Sequence, residues 1–194
     1  GRGGAPGRGW PPGPRLGRSE GSWGGRAGAR GAMKGEVRAL LAGLEPEGEG
    51  ELGGHVQHAG QLVSVHVEGD PHAGPGPALL ARLVDLEALG AEARAALAAE
   101  HGAGGESVVE LYRAHHAGEL EPDEIEACFG GDDAWRTEIA VFLEHCALTG
   151  VAVLLAGDEP SLMVDLQLGG EMTDQVLCVA WGPDGRVLHV DMES

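Results

Sequence analysis

The chain carries nine histidines in 194 residues, and three groupings of them have spacings from which chemistry could arise. His55 and His58 form H-x-x-H with His66 a short way downstream, a set of imidazoles that could ligate zinc if all three converged. They diverge if "HVQHAGQLVSVHVEG" is a hairpin turning at Ala59-Gly60. Val56 then pairs with Val63 and His55 with Ser64, so His55 and His66 share one face and His58 points to the other. No metal is expected here, and no cofactor. His115-His116, with Glu110 and Glu119 nearby, is the set suited to general acid–base work. Adjacent helical residues diverge by about 100 degrees, so one histidine extends the Val108/Leu111 face and the other the Val109/Tyr112 face. The second grouping therefore predicts a partly buried structural imidazole. The same divergence separates His145 from Cys146 and denies those neighbours a Cys–His dyad.

Other constellations are weaker. There is no G-x-S-x-G, and beyond residue 32 the serines are Ser64, Ser107, Ser161 and Ser194. No G-x-x-x-x-G-K-[ST] occurs, and the glycines of "GPGP" and "GAGG" precede helices without the strand a dinucleotide site requires. Cys128, Cys146 and Cys178 lie far apart with no C-x-x-C, which suggests neither a disulfide framework nor a zinc knuckle. What stands out is acid. Glu119, Glu121, Asp123, Glu124 and Glu126 fall within the eight residues "ELEPDEIE", beside a predicted helix start whose dipole accounts for some of them.

The elements that must position these residues are legible from period. A short helix is expected over Met33 to Leu44, then an acidic loop "EPEGEGE", then the hairpin, where Val63, Val65 and Val67 alternate. "GPGPALLARLVDLEALG" places Leu79, Leu83 and Leu86 on one helical face, and Gly90 is expected to interrupt before the Ala-rich "AEARAALAAEHG". In "GESVVELYRAHHAG", Ser107 and Glu110 have capping-box spacing and Gly118 suits the C′ position. "EPDEIEACFGG" predicts another helix with Pro122 in its first turn. "DDAWRTEIAVFLEHCAL" follows with Trp135, Ile139, Phe142 and Cys146 in a stripe. From Thr149 the period becomes two, in "VAVLLAG", "SLMVDLQLG", "QVLCVAW" and "RVLHVDM". The predicted class is α+β: an N-terminal hairpin and a helical middle packed on a C-terminal four-stranded antiparallel meander.

The turn "PDG" in "TDQVLCVAWGPDGRVLHVDMES" predicts a register. With Gly185 in the left-handed region, Gly182 faces Arg186, and pairing outward sets Ala180 against Leu188, Cys178 against Val190 and Val176 against Met192. Cys178 would be a core thiol and His189 would lie on the opposite, mixed face.

Charge is distributed unevenly. Residues 1–32 hold six arginines, one acid, 12 glycines and 4 prolines, whereas residues 33–194 hold 7 bases against 30 acids. The leader 1–32 is expected to be disordered, because it lacks the apolar surface to offset the entropy of ordering. It is either an Arg/Gly-rich nucleic-acid-binding arm or upstream sequence before a start at Met33. Residues 33–194 are expected to form one domain. No run approaches the roughly 20 apolar residues of a membrane span, and no secretory signal is seen. The expected compartment is the bacterial cytoplasm.

The closing run "TDQVLCVAWGPDGRVLHVDMES", preceded by "MVDLQLGGE", resembles the last hairpin of a bacterial family known as domain of unknown function two-thousand-four. The segments "DLEALGAEARAALAAEHG" and "SVVELYRAHHAGEL" are similar to that family's middle helices. The resemblance spans about Gly50 to Ser194 and departs from the pattern at Trp181, where Phe is usual. It implies fold more than function, and it implies an association with toxin-immunity proteins.

Two functions follow as expectations. The first is a non-enzymatic interaction protein, of the toxin-immunity kind, that presents Glu119, Glu121, Asp123, Glu124 and Glu126 to a basic protein. The alternative is a small hydrolase-like enzyme using Glu110, His115, His116 and Glu119, which a concave pocket holding two of those four would favour. Nucleic-acid binding by the folded part is opposed by its charge. The sequence leaves the oligomeric state open.

Overall fold

The computed structural model describes residues 27–129, 138–157, 159–169 and 173–194. Helix α1 (Ala27–Ala42) leads into three strands, β1 (Glu45–Gly48), β2 (Glu51–His58) and β3 (Gln61–Glu68). Then come α2 (Gly76–Leu80), a 3-10 turn (Ala81–Val84), α3 (Leu86–Gly102), α4 (Val108–Glu119), α5 (Pro122–Phe129) and α6 (Ile139–Glu144). Four strands close the chain: β4 (Cys146–Leu154), β5 (Ser161–Leu168), β6 (Val176–Trp181) and β7 (Val187–Glu193).

The class is α+β, but the hairpin and the meander are not separate units. All seven strands form one mixed sheet in the order β1 to β7, with every neighbouring pair antiparallel except β3 and β4, which run parallel. The helical middle is thus the crossover that a parallel pair requires. Helices α3 and α4 pack on β6 and β7, and α2 on β4. Toward them point Val63, Val65, Val67, Val151, Val153, Leu162, Val164, Leu166, Leu177 and Val179, all at most 2% exposed. Among the described residues no helix is long and apolar enough to cross a membrane.

The N-terminal hairpin has the predicted register, with Val56 opposite Val63 and His55 opposite Ser64. Its turn puts both Ala59 (φ 47°) and Gly60 (φ 87°) in the left-handed region, as a two-residue turn with native twist demands. The loop expected at "EPEG" is instead the edge strand β1, exposed along its length and tolerant of Pro46 because an edge needs fewer donors. Helix α1 starts at Ala27, six residues before Met33, so the end of the expected leader is helical; residues 1–26 lie outside the described residues.

The helical middle departs from expectation at several ends. The break falls at Asp85, not Gly90: the Asp85 carboxylate accepts from the Ala88 N–H at 3.0 Å and starts α3, which runs through Gly90. A local cap outweighs one glycine's propensity. Ser107 caps α4 as predicted, accepting from the Glu110 N–H. The carboxylate that completes the cap is Glu100 of α3, which accepts from the Val108 N–H and the Ser107 hydroxyl. Glu110 is turned toward Arg113 at 2.8 Å. Gly118 is not a terminator; α4 continues to Glu119 and ends at Leu120. The last helix is shorter than predicted, because β4 already starts at Cys146. Trp135 lies outside the described residues. Arg94 fixes this change of direction by donating to the carbonyls of Leu143 and Cys146, both at 3.0 Å.

The closing hairpin corrects the predicted register. Gly182 does face Arg186, and Gly185 has φ 78°. A bulge between Ala180 and Trp181 then shifts the pairing by one: Ala180 faces His189, Cys178 faces Asp191 and Val176 faces Glu193. The helix-side face of β6 offers the larger set, Leu177, Val179 and Trp181. Sliding β7 by one residue brings Val190 and Met192 to that side, and burial of the larger surface prevails over the unbulged turn geometry. Cys178 is fully buried, yet it sits on the face away from the helices, beside Asp165 of β5.

Candidate functional site

Two i, i+4 side chains of α4 tie the helix to the connection between β5 and β6. The Tyr112 hydroxyl donates to the Gln175 carbonyl at 3.2 Å and accepts from the Leu168 N–H at 2.9 Å. Burial pushes the Tyr112 phenol well above its ordinary range. One turn later, His116 is 1% exposed. Its Nδ1 lies 2.8 Å from the Tyr112 carbonyl oxygen, and its Nε2 lies 2.8 Å from Thr173 Oγ1. A carbonyl can only accept, so Nδ1 carries the proton, and neutral Nε2 accepts the Thr173 hydroxyl hydrogen. Burial lowers the His116 pKa, against the raising influence of the Tyr112 carbonyl, Glu119 and Asp174. Thr173 is held in turn: its Oγ1 accepts from the Gln175 N–H at 3.0 Å, and its carbonyl accepts from the Gln167 amide.

This network floors a cavity of about 450 Å³ lined by His115, His116, Glu119, Leu120, Glu124, Thr173 and Asp174. The end of α4 supplies the histidines and Glu119, the start of α5 supplies Glu124, and the approach to β6 supplies Thr173 and Asp174. One Glu124 oxygen accepts the Glu121 N–H at 2.8 Å, fixing the side chain over the entry to α5. His115 is exposed on the wall, its ring 5.3 Å from that of His116 and nearly perpendicular to it.

The predicted site residues are thus partly assembled. His115, His116 and Glu119 converge, whereas Glu110 is spent on Arg113. Of the five acids of "ELEPDEIE", Glu119 and Glu124 line the cavity, and Glu121, Asp123 and Glu126 are exposed on and before α5. Thr173 and Asp174, more than fifty residues further along the chain, were not singled out as site residues. The signal available for them was the Thr-Asp step that opens the closing run.

The remaining candidates stay apart. His55 and His66 share the face away from the helices, where His66 Nδ1 lies 3.4 Å from Glu47 Oε2; His58 is on the other face, 3.9 Å from Glu87. Among the described residues, no three His, Cys, Asp or Glu side chains are grouped to hold a metal ion. His145 is exposed while Cys146 is fully buried, its Sγ 3.9 Å from the Phe142 carbonyl and its pKa pushed up to about 12 by burial. Burial also raises Asp165 and Cys178, which makes that thiol a poor nucleophile. A second hollow, of about 480 Å³ between α3 and α6, is walled mainly by Ala91, Ala95, Ala98 and Ala140 and offers no comparable set of groups. No family model, curated protein or solved structure matches this chain.

Proposed function

We propose that this chain is a binding protein for a basic partner, and that the cavity at the junction of α4 and α5 receives the partner's cationic side chains. The observation that carries this reading is the convergence of Glu119, Glu124 and Asp174 on one cavity whose buried imidazole is neutral. Exposed Glu121, Asp123 and Glu126 extend the negative surface outward and would steer a positive partner before contact. The resemblance to the bacterial family, its association with toxin immunity and a cytoplasmic setting belong to the same proposal. A neutralising role fits a protein of net charge −18.

The test is calorimetric titration with an arginine-rich peptide at low and at high salt. Reversal at Glu119 and Glu124 together (to Lys) is expected to weaken binding at least tenfold. The control is reversal at Glu87 and Glu144, exposed acids outside the cavity. Equal losses in the two variants would reduce the effect to bulk charge and sink the reading. A second reading, a small hydrolase acting through the same cavity, is favoured by the presence of His115, His116 and Glu119 in that cavity, three of the four residues expected for it, and by the hydrogen bond from the Thr173 hydroxyl to His116 Nε2.

A further inference from the structure

We infer that this cavity performs acyl transfer on esters whose acyl part bears a positive charge, with Thr173 as nucleophile and His116 as its base. The inference deepens the hydrolase reading and rests on the proposal that the carboxylates of the cavity receive a cation.

Nucleophilic catalysis by a hydroxyl needs a base within hydrogen-bond reach and a third group that orients the base. Here the distances are 2.8 Å from Thr173 Oγ1 to His116 Nε2 and 2.8 Å from His116 Nδ1 to the Tyr112 carbonyl. The orienting bond fixes the tautomer, so the imidazole faces the hydroxyl with a lone pair. Burial keeps that imidazole unprotonated at neutral pH, the state a base requires. Thr173 is pinned on its other side by Gln175 and Gln167, and both reacting groups border the same solvent-connected cavity. His115 is exposed on the adjoining wall of the cavity. Glu119, Glu124 and Asp174 supply the counter-charge for a guanidinium or ammonium on the acyl part.

The step balances without any further reagent. Thr173 Oγ1 bonds to the carbonyl carbon while its proton passes to His116 Nε2. The tetrahedral intermediate collapses by breaking the bond to the alkoxy oxygen, which leaves as the alcohol with that proton. Water then repeats the sequence on the threonyl ester, giving the acid and restoring the hydroxyl.

The experiment uses the full chain and the p-nitrophenyl ester of para-guanidinobenzoic acid, with p-nitrophenyl benzoate as the neutral counterpart. A burst of about one nitrophenolate per chain is expected, with the added mass on the peptide that contains Thr173. Thr173→Ala should abolish the burst, Thr173→Ser should retain it, and His116→Gln should slow it by roughly a hundredfold, the scale of general-base catalysis. Melting midpoints of the variants separate lost chemistry from lost fold, and the mass assignment in the unsubstituted chain depends on no variant. An acyl group on Lys34, on a histidine or on no residue overturns the inference. If guanidinium compounds bind at the cavity but Thr173 is never acylated, acyl transfer falls and the binding proposal stands. If Thr173 is acylated equally fast by the neutral ester, the charge preference falls, and with it the cation reading on which it rests.

Discussion

His116 has one hydrogen to give and one lone pair to fill, and both are committed, to Tyr112 and to Thr173. This makes its charge state a stability determinant. The folded-state pKa is lowered by burial, below the ordinary ~6.5 of an unfolded chain. The unfolded chain therefore takes up the proton first as pH falls. Above about 6.5 neither state is protonated here and the residue adds no pH dependence; below it, unfolding is favoured until the folded pKa is reached. The melting midpoint should accordingly fall between pH 7 and pH 5. His116→Gln should cost about 1–3 kcal/mol at pH 7, for broken bonds to buried groups, and this deficit should narrow on acidification. Parallel pH profiles for the two proteins would show that the imidazole is not held neutral. The pairing behind this prediction was only half legible. Helical geometry brings His116 under Tyr112 and drives it inward, but no local pattern relates position 116 to position 173, because that contact arises only once the sheet exists.

At the level of elements, the hairpin between β2 and β3 was legible because alternation and a short turn fix its register together. Its weak point is Ala59, exposed at φ 47°, a conformation that L residues with a Cβ avoid at a cost of about 1–2 kcal/mol. Ala59→Asn, which places the favoured residue in this turn beside Gly60, should stabilise the protein by about 1 kcal/mol. Urea unfolding would check this, and an unchanged or lower midpoint would mean that the turn is not of the primed type. The closing hairpin shows where the same method fails. Its turn was identified, but both faces of β6 are apolar, so alternation could not choose between them. The choice was made by the helices, which cover Leu177, Val179 and Trp181 and so draw Val190 and Met192 across with a bulge. Strand β1 was missed for a different reason: an edge strand exposed on both sides has no apolar period to read.

For the whole molecule, the one parallel pairing joins two antiparallel ribbons, β1–β3 and β4–β7, each built from near neighbours in the chain. Nothing local announces that seam, which is why the sheet looked like two separate pieces in the sequence. Yet it fixes the site as well, since α4 and α5 belong to the crossover and Thr173 belongs to the second ribbon. The seam also has a kinetic meaning. Gln61 donates to the Leu148 carbonyl across a separation of 87 residues, so zipping β3 to β4 closes the longest loop in the sheet and should come after the ribbons themselves have formed. Pulse-labelled hydrogen exchange during refolding should find amides of β5 and β6 protected before those shared by β3 and β4. Simultaneous protection would instead mean that the crossover collapses first and carries both ribbons with it. By the same loop-length reasoning, the Thr173–His116 contact, which spans 57 residues and joins α4 to the second ribbon, should form before the seam closes, so any chemistry at the cavity would appear while the first ribbon is still undocked.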